Sequence, residues 1–333
     1  MIMIEDRKIG DDHSTYFIAE GGLNHNGDIK LAKKMIDEAK NCGADAIKFQ
    51  TYKSEEFLTR ATPYFDTFKN VELSYESFGE LKDYSKSRGI TFFSTPFDIE
   101  SADYLKKIGV PCFKIASSDL TNIPLIRHIA KLNTPMIISS GLATMQEVEE
   151  AVNCCLFEGN KEIALLHCVA NYPTLPEETN LSAMNTMKER FGLPVGYSDN
   201  GESPLVDLAA VSMGANLIEK HFTLDKEMQG PDHSFSIDPQ GLKILISQIR
   251  MIEAMKGNGA KLPQASEVAG RYNIRKSITA RKDIKNGEVL TAEVVSIKRP
   301  AEGIEPKYLD RVIGMKTNKD IKKDTAIHWQ DIL

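Results

Sequence analysis

No run of about 18 apolar residues occurs in the 333-residue sequence, which excludes a membrane-spanning helix. The opening stretch, residues 1–12, is charged and lacks the apolar core of a secretory leader. Cysteine is scarce. The five residues (Cys42, Cys112, Cys154, Cys155 and Cys168) form no CxxC pair and no regular framework, and they read as reduced core thiols of a cytoplasmic protein. Positive charge is not in excess either: the net charge of −6 argues against a general nucleic-acid binder. No GxGxxG follows the first strand, which weighs against a doubly wound dinucleotide-binding sheet.

What is present is an ordinary globular composition, 41% hydrophobic and 26% charged, in a chain long enough for a large domain and a small one. The charge is uneven. From Ser266 onward, 14 Lys and Arg face 10 Asp and Glu, leaving 27 against 37 in the body. A modestly basic tail suits either anion handling or a solvated surface.

Short β-branched runs alternate with amphipathic helical stretches from Thr15 to about Lys256. Eight strand candidates stand out, at 15–22, 44–50, 90–97, 111–118, 134–141, 162–169, 193–199 and 215–222. Helical stretches separate them, such as the one placing Leu31, Met35, Ile36 and Ala39 on one face before Gly43. Eight strand–helix units in this length predict a (β/α)8 TIM barrel over residues 1–258. The connection from Tyr52 to Ser74 is long and carries Phe57, Tyr64, Phe65 and Phe68, so it is expected to cover something or meet a partner. After Gly257-Asn258-Gly259 the helical period fades, giving a linker over 259–276. A small β-rich unit at 277–333 carries an internal echo: Lys282-Asp283-Ile284-Lys285 returns as Lys319-Asp320-Ile321-Lys322.

In such barrels the chemistry sits at the C-terminal strand ends. Those ends carry Glu20, Lys48, Gln50, Ser94, Thr95, Lys114, Ser117, Asp119, Ser139, Ser198, Asp199, Asn200, Glu219 and His221. Lys48 and Lys114 lie inside otherwise apolar strands, where lysine is rarely buried alone. Three readings stand for them: pairing with a nearby acid such as Glu20 or Asp119, joint binding of a multiply charged anion, and a Schiff base. His221 at the eighth tip is either a structural hydrogen bonder or a metal ligand. His25 is a candidate for shaping substrate access, and His167 for core packing; the role of His233 is open.

The motifs resemble those of the sialic acid synthases and their relatives that make legionaminic and pseudaminic acids. AEGGLNHNG, GADAIKFQTYK, FFSTPFD, FKIASSDLTN, MIISSGLAT, LLHCVANYPT, GYSDN, GANLIEKHFTLDK and GPDHSFSI follow that family's order nearly end to end. The segment KDIKNGEVLTAEVVSIKRPAEGI resembles the family's C-terminal antifreeze-protein-like (SAF) domain.

The resemblance implies a condensation of phosphoenolpyruvate with an N-acylated amino-sugar aldehyde such as N-acetylmannosamine or a 2,4-diacetamido-6-deoxyhexose. It places phosphoenolpyruvate at Lys48, Thr95, Lys114, Ser117, Ser139 and Ser198. It places the sugar at Gln50, Asp119, Tyr172, Asp232 and Arg299, and catalytic roles at Glu20 and His221. A divalent metal, Mn²⁺ or Mg²⁺, is implied at His221 and Asn200, and a homodimer with swapped C-terminal domains delivers Arg299. Three departures stand out. Asn200 replaces a metal-ligating His, which implies a weaker or altered metal preference. Asp119 replaces a Glu common in the family, and Ala170 replaces a polar residue.

Overall fold

The computed structural model describes residues 1–333. The chain divides into two units, Met1–Gly257 and Asn258–Leu333. The first begins with a hairpin that the charged N-terminal sequence conceals. Strands β1 (Ile2–Ile4) and β2 (Arg7–Ile9) pair antiparallel, with Ile2 opposite Ile9. Period-two alternation explains it: Ile2, Ile4 and Ile9 are buried in the core, while Met3, Arg7 and Lys8 face outward. Arg7 reaches Asp45 at 3.1 Å, Glu5 accepts from Thr91 Oγ1 at 2.6 Å, and Met3 N donates to Glu162 at 3.1 Å. These partners flank the starts of barrel strands, so the hairpin covers the N-terminal end.

The eight apolar runs form eight parallel strands, as expected of segments buried on both faces. They are β3 (Tyr16–Gly22), β4 (Ala46–Thr51), β5 (Thr91–Pro96), β6 (Phe113–Ile115), β7 (Met136–Ser139), β8 (Ile163–Cys168), β9 (Val195–Asp199) and β10 (Leu217–His221). They pair in chain order, and β10 returns to β3 to close the barrel. The expected TIM barrel is therefore present. Strand β6 is shorter than its apolar run because the chain turns into a 3₁₀ segment at Ser117–Asp119. Gly196 in β9 meets β10 so closely that a Cβ would lie 2.1 Å from Leu217 O.

Local signals set the helix ends. Asp28 caps helix Ile29–Cys42 by accepting from Lys30 N, and Gly43 ends it at φ 91°. Thr144 and Glu147 form a reciprocal capping box on Met145–Phe157. The long connection after β4 folds into two short helices, Ser54–Phe57 and Phe65–Val71. Its rings Phe57 and Phe68 cluster with Tyr52 and Phe97, whereas Tyr64 is exposed.

In the second unit, β11 (Ser277–Ala280) pairs antiparallel with β12 (Val295–Lys298). Helix Val268–Asn273 occupies part of the stretch expected to be a linker. The sequence echo becomes a pseudo-twofold contact. Ile284 and Ile321 exchange both backbone hydrogen bonds at 2.8 Å, Lys285 pairs with Asp320 at 3.0 Å, and Lys322 pairs with Asp283 at 2.9 Å. Ile278, Ile284, Leu290, Val312, Ile321 and Ile327 fill its core.

Candidate functional site

Strand alternation sends Lys48, Lys114 and Glu219 into the barrel, where their side chains are at most 7% exposed. Lys48 Nζ lies 2.7 Å from Glu20 Oε2 and 3.7 Å from Glu219 Oε1. It also donates to Thr95 Oγ1 at 3.0 Å. Lys114 Nζ is 3.3 Å from the same Glu219 oxygen, and Ser198 Oγ donates to that oxygen at 3.3 Å. Glu219 is thus the hub of the group. The sequence reading named it at a tip but gave it no role; its spacing of two from His221 puts both on one face.

Asp119 does not join the lysines. It accepts from Asn122 at 3.0 Å and from Ser118 at 3.3 Å. Ser117 Oγ accepts from Gly141 N at 3.0 Å, and Ser139 Oγ is buried without a partner.

Electrostatics separate the two acids. Burial lifts the Glu20 carboxyl above its ordinary range, against the pull of Lys48 and with the push of Glu219. Burial acts on Glu219 in the same direction, but Lys114 and Lys48 outweigh it and hold that carboxyl low. Burial tends to strip the proton from both amines. Glu20 and Glu219 reverse this at Lys48, which stays high, whereas Lys114 ends below its ordinary value. Glu219 Oε2 is buried with no hydrogen-bond partner, whereas Glu20 Oε2 is held by the Lys48 ammonium. The two buried ammonium groups and the idle Ser139 hydroxyl are donors from which an oxyanion can accept, while Glu20 and Glu219 balance the lysine charge.

Beside this floor lies a wall with polar tips. Gln50 Nε2 donates to Glu20 Oε1 at 3.2 Å. The rings of Tyr172, His221 and Phe235 pack together with centroids 5.2–5.7 Å apart. His221 Nδ1 is buried without a hydrogen bond, 3.9 Å from Asp232 Oδ2. Burial lowers the His221 pKa and raises that of Asp232, while each group opposes the shift of the other. Arg299 belongs to the second unit and forms no ion pair there.

Asn200 is buried, and its Nδ2 donates to Val169 O at 2.8 Å and to Cys168 Sγ at 3.3 Å. This leaves the amide oxygen as its available donor atom. No three His, Cys, Asp or Glu side chains converge on a metal site. His221 Nδ1 and the Asn200 amide oxygen are each left as a donor atom of the kind a divalent ion accepts.

A cavity of about 620 Å³ opens near the tips of β7 and β8, lined by Ser140, Leu142, Cys168, Ala170 and Asn171 among others.

Three other histidines sit in packed or hydrogen-bonded positions. His167 meets Thr179 O at 2.8 Å. His233 bonds Thr223 Oγ1 at 2.6 Å and Asn26 Oδ1 at 3.3 Å, tying the loop after β10 to the loop after β3. His25 does not line an access path. It is 1% exposed, packs on Phe49, and its Nε2 has no partner. Burial lowers its pKa to about 4. The unfolded chain therefore takes up this proton first, and stability present above the ordinary histidine pKa is lost as pH falls toward 4. The loss at pH 5 relative to pH 7.5 is about 2 kcal/mol from this group. Urea titrations at both pH values check it: His25→Gln should lose that much less stability on acidification, and an unchanged difference would refute the assignment.

Fold and site together define a (β/α)8 barrel whose mouth holds a floor of buried lysines, carboxylates and hydroxyls beside the packed rings of Tyr172, His221 and Phe235. The NeuB family model matches residues 35–261, and the SAF domain model matches residues 275–333. The chain belongs to the NeuB family and carries a C-terminal SAF domain. An uncharacterised protein of Methanocaldococcus jannaschii is 48% identical over 100% of this chain and 98% of its own. The N,N'-diacetyllegionaminic acid synthase of Campylobacter jejuni is 43% identical, covering 94% of this chain and 98% of its own. Among solved structures, an N-acetylneuraminic acid synthetase from Leptospira borgpetersenii, in complex with citrate, is 40% identical with a TM-score of 0.77. It covers 81% of this chain and 94% of its own.

Proposed function

We propose that the chain condenses phosphoenolpyruvate with the open-chain aldehyde of an N-acylated amino sugar, releasing phosphate and a nonulosonic acid. The observation that carries this is the buried floor where Lys48 and Lys114 share Glu219 within reach of Thr95 and Ser198. In this reading the lysines and hydroxyls hold the phosphate and carboxylate of one small molecule. Carbon 3 of phosphoenolpyruvate bonds to the aldehyde carbon, and the aldehyde oxygen takes a proton. Water adds at carbon 2, and the C–O bond to phosphate breaks to leave the 2-keto acid. Glu20, whose carboxyl is raised by burial, is the group suited to move a proton beside Lys48. His221 and Asn200 would hold the divalent cation, which would supply Lewis-acid chemistry for the aldehyde.

The acceptor we favour is a 2,4-diacetamido-6-deoxyhexose rather than N-acetylmannosamine. Its support is the similarity to the Campylobacter N,N'-diacetyllegionaminic acid synthase at 43% identity. Arg299 would reach the sugar from a second copy of the chain in a swapped homodimer. The five unpaired thiols suit a reducing cytoplasm, and no helix is long and apolar enough to cross a membrane.

The test is phosphate release from phosphoenolpyruvate with each sugar, with and without Mn²⁺ or Mg²⁺. Release should require sugar and metal together, and should be fastest with the diacetamido sugar. Ligand binding with no phosphate release from any sugar would instead make the chain a non-catalytic binder, a reading whose one support is Asn200.

A further inference from the structure

Behind the mouth, on the faces of β9 and β10 turned away from the barrel interior, lies a second buried charge cluster. The side chains of Lys220, Asp199 and Asp207 are at most 1% exposed. Lys220 Nζ pairs with Asp199 Oδ2, donates to Gly201 O at 2.6 Å, and lies 3.7 Å from Asp207 Oδ2. The other oxygen of Asp199 accepts from Gly201 N at 2.8 Å. Lysine and aspartate therefore hold both polar groups of one glycine at the start of the loop after β9. The preceding residue is held as firmly, since Asn200 O accepts from Thr174 N at 3.1 Å. A Cβ on Gly201 would lie 2.9 Å from Thr174 O, so the loop has no slack there.

Buried ion pairs seldom stabilise more than apolar side chains of the same size, so stability alone does not account for this cluster. Register supplies a better reason. Lys220 stands directly opposite Asp199 in the β9–β10 ladder. Their chain neighbours are Ser198, Asn200, Glu219 and His221, which alternation turns to the mouth. Burial next to Asp199 holds the Asp207 carboxyl well above its ordinary range.

We propose that Lys220 is a positioning residue: clamped to Asp199 and Gly201, it fixes the loop that sets the Asn200 amide and holds Ser198 and His221 in register. This rests on the functional reading above for what those residues bind. The clamp itself is tested on the full-length chain by Mn²⁺ binding followed by electron paramagnetic resonance, and by calorimetric binding of phosphoenolpyruvate.

Lys220→Met should weaken Mn²⁺ binding by about tenfold or more, in the range seen when supports behind metal ligands are removed. Lys220→Arg, which keeps the charge and donors but must seat a bulkier planar group in the same buried space, should bind Mn²⁺ more tightly than Lys220→Met. Where Lys220→Met fails to fold, Lys220→Met with Asp199→Leu removes both charges and carries the same prediction. Wild-type affinity for both ligands in a folded Lys220→Met or double variant overturns the clamp. So does a wild-type chain that binds neither ligand. Phosphate release distinguishes the two readings: a wild type that binds both ligands but never releases phosphate sinks the synthase and leaves the clamp measurable.

Discussion

Replacing either buried lysine with methionine should cut kcat/KM for phosphoenolpyruvate by about a thousandfold, the upper range for deleting one donor to a developing or fixed anion. The two variants should differ in stability. Lys48 meets Glu20 at 2.7 Å and Glu219 at 3.7 Å, so Lys48→Met strands Glu20 with Gln50 as its remaining polar contact. That should cost about 3–5 kcal/mol, the usual result of breaking a buried pair from one side. Lys114→Met should cost less, because Glu219 keeps Lys48 and Ser198. A double variant separates structure from function. Lys48→Met with Glu20→Met removes the stranded charge, so the melting temperature should recover while phosphoenolpyruvate binding stays lost. If both recover together, the lysine serves only to neutralise its acid, and the anion reading fails.

This double variant also resolves what sequence left open. The lysines stood out because Ala46-Ile47-Lys48-Phe49 and Cys112-Phe113-Lys114-Ile115 are apolar runs that bury both faces of a strand. That signal locates a site but is silent on partners, since pairing and anion binding make the same demand for a nearby charge. The fold resolved Glu20 as a partner, set Asp119 aside, and added Glu219. Glu219 was hidden because Ile218-Glu219-Lys220-His221 holds three polar residues in a row, and only alternation around a closed barrel separates Glu219 and His221 from Lys220.

The barrel itself was legible because eight runs of the right length recur with helices between them. Connections were less so. The hairpin at Ile2–Ile9 has strands of three residues, too short for alternation to rise above chance without the barrel end it covers. The aromatic connection after β4 shows no single period because two short helices divide it. Helix Val268–Asn273 escaped notice for a different reason: it buries none of its residues, so no apolar stripe marks it.

Asn200→His should tighten Mn²⁺ binding by about ten- to a hundredfold and shift the preferred activator from Mg²⁺ toward Mn²⁺, because imidazole nitrogen is a better ligand for a transition ion than for the oxygen-seeking Mg²⁺. The wild-type side chain offers only its amide oxygen, since both bonds from Nδ2 run to Val169 O and Cys168 Sγ. If the ion sits there as proposed, a neutral oxygen and one imidazole would leave most of its coordination to substrate and water, which would suit Mg²⁺ as well as Mn²⁺. The measurement is the half-activating concentration of each ion for phosphate release, alongside Mn²⁺ binding without substrate. A tighter Mn²⁺ site in the variant, with slower release of ion and product, would place Asn200 at the metal and explain the amide as a weaker, exchangeable ligand. Activity appearing only in Asn200→His would mean that the natural chain binds its ligands without turning them over. Identical metal response in both proteins would remove Asn200 from the metal site, leaving its amide as a brace between β8 and the loop after β9.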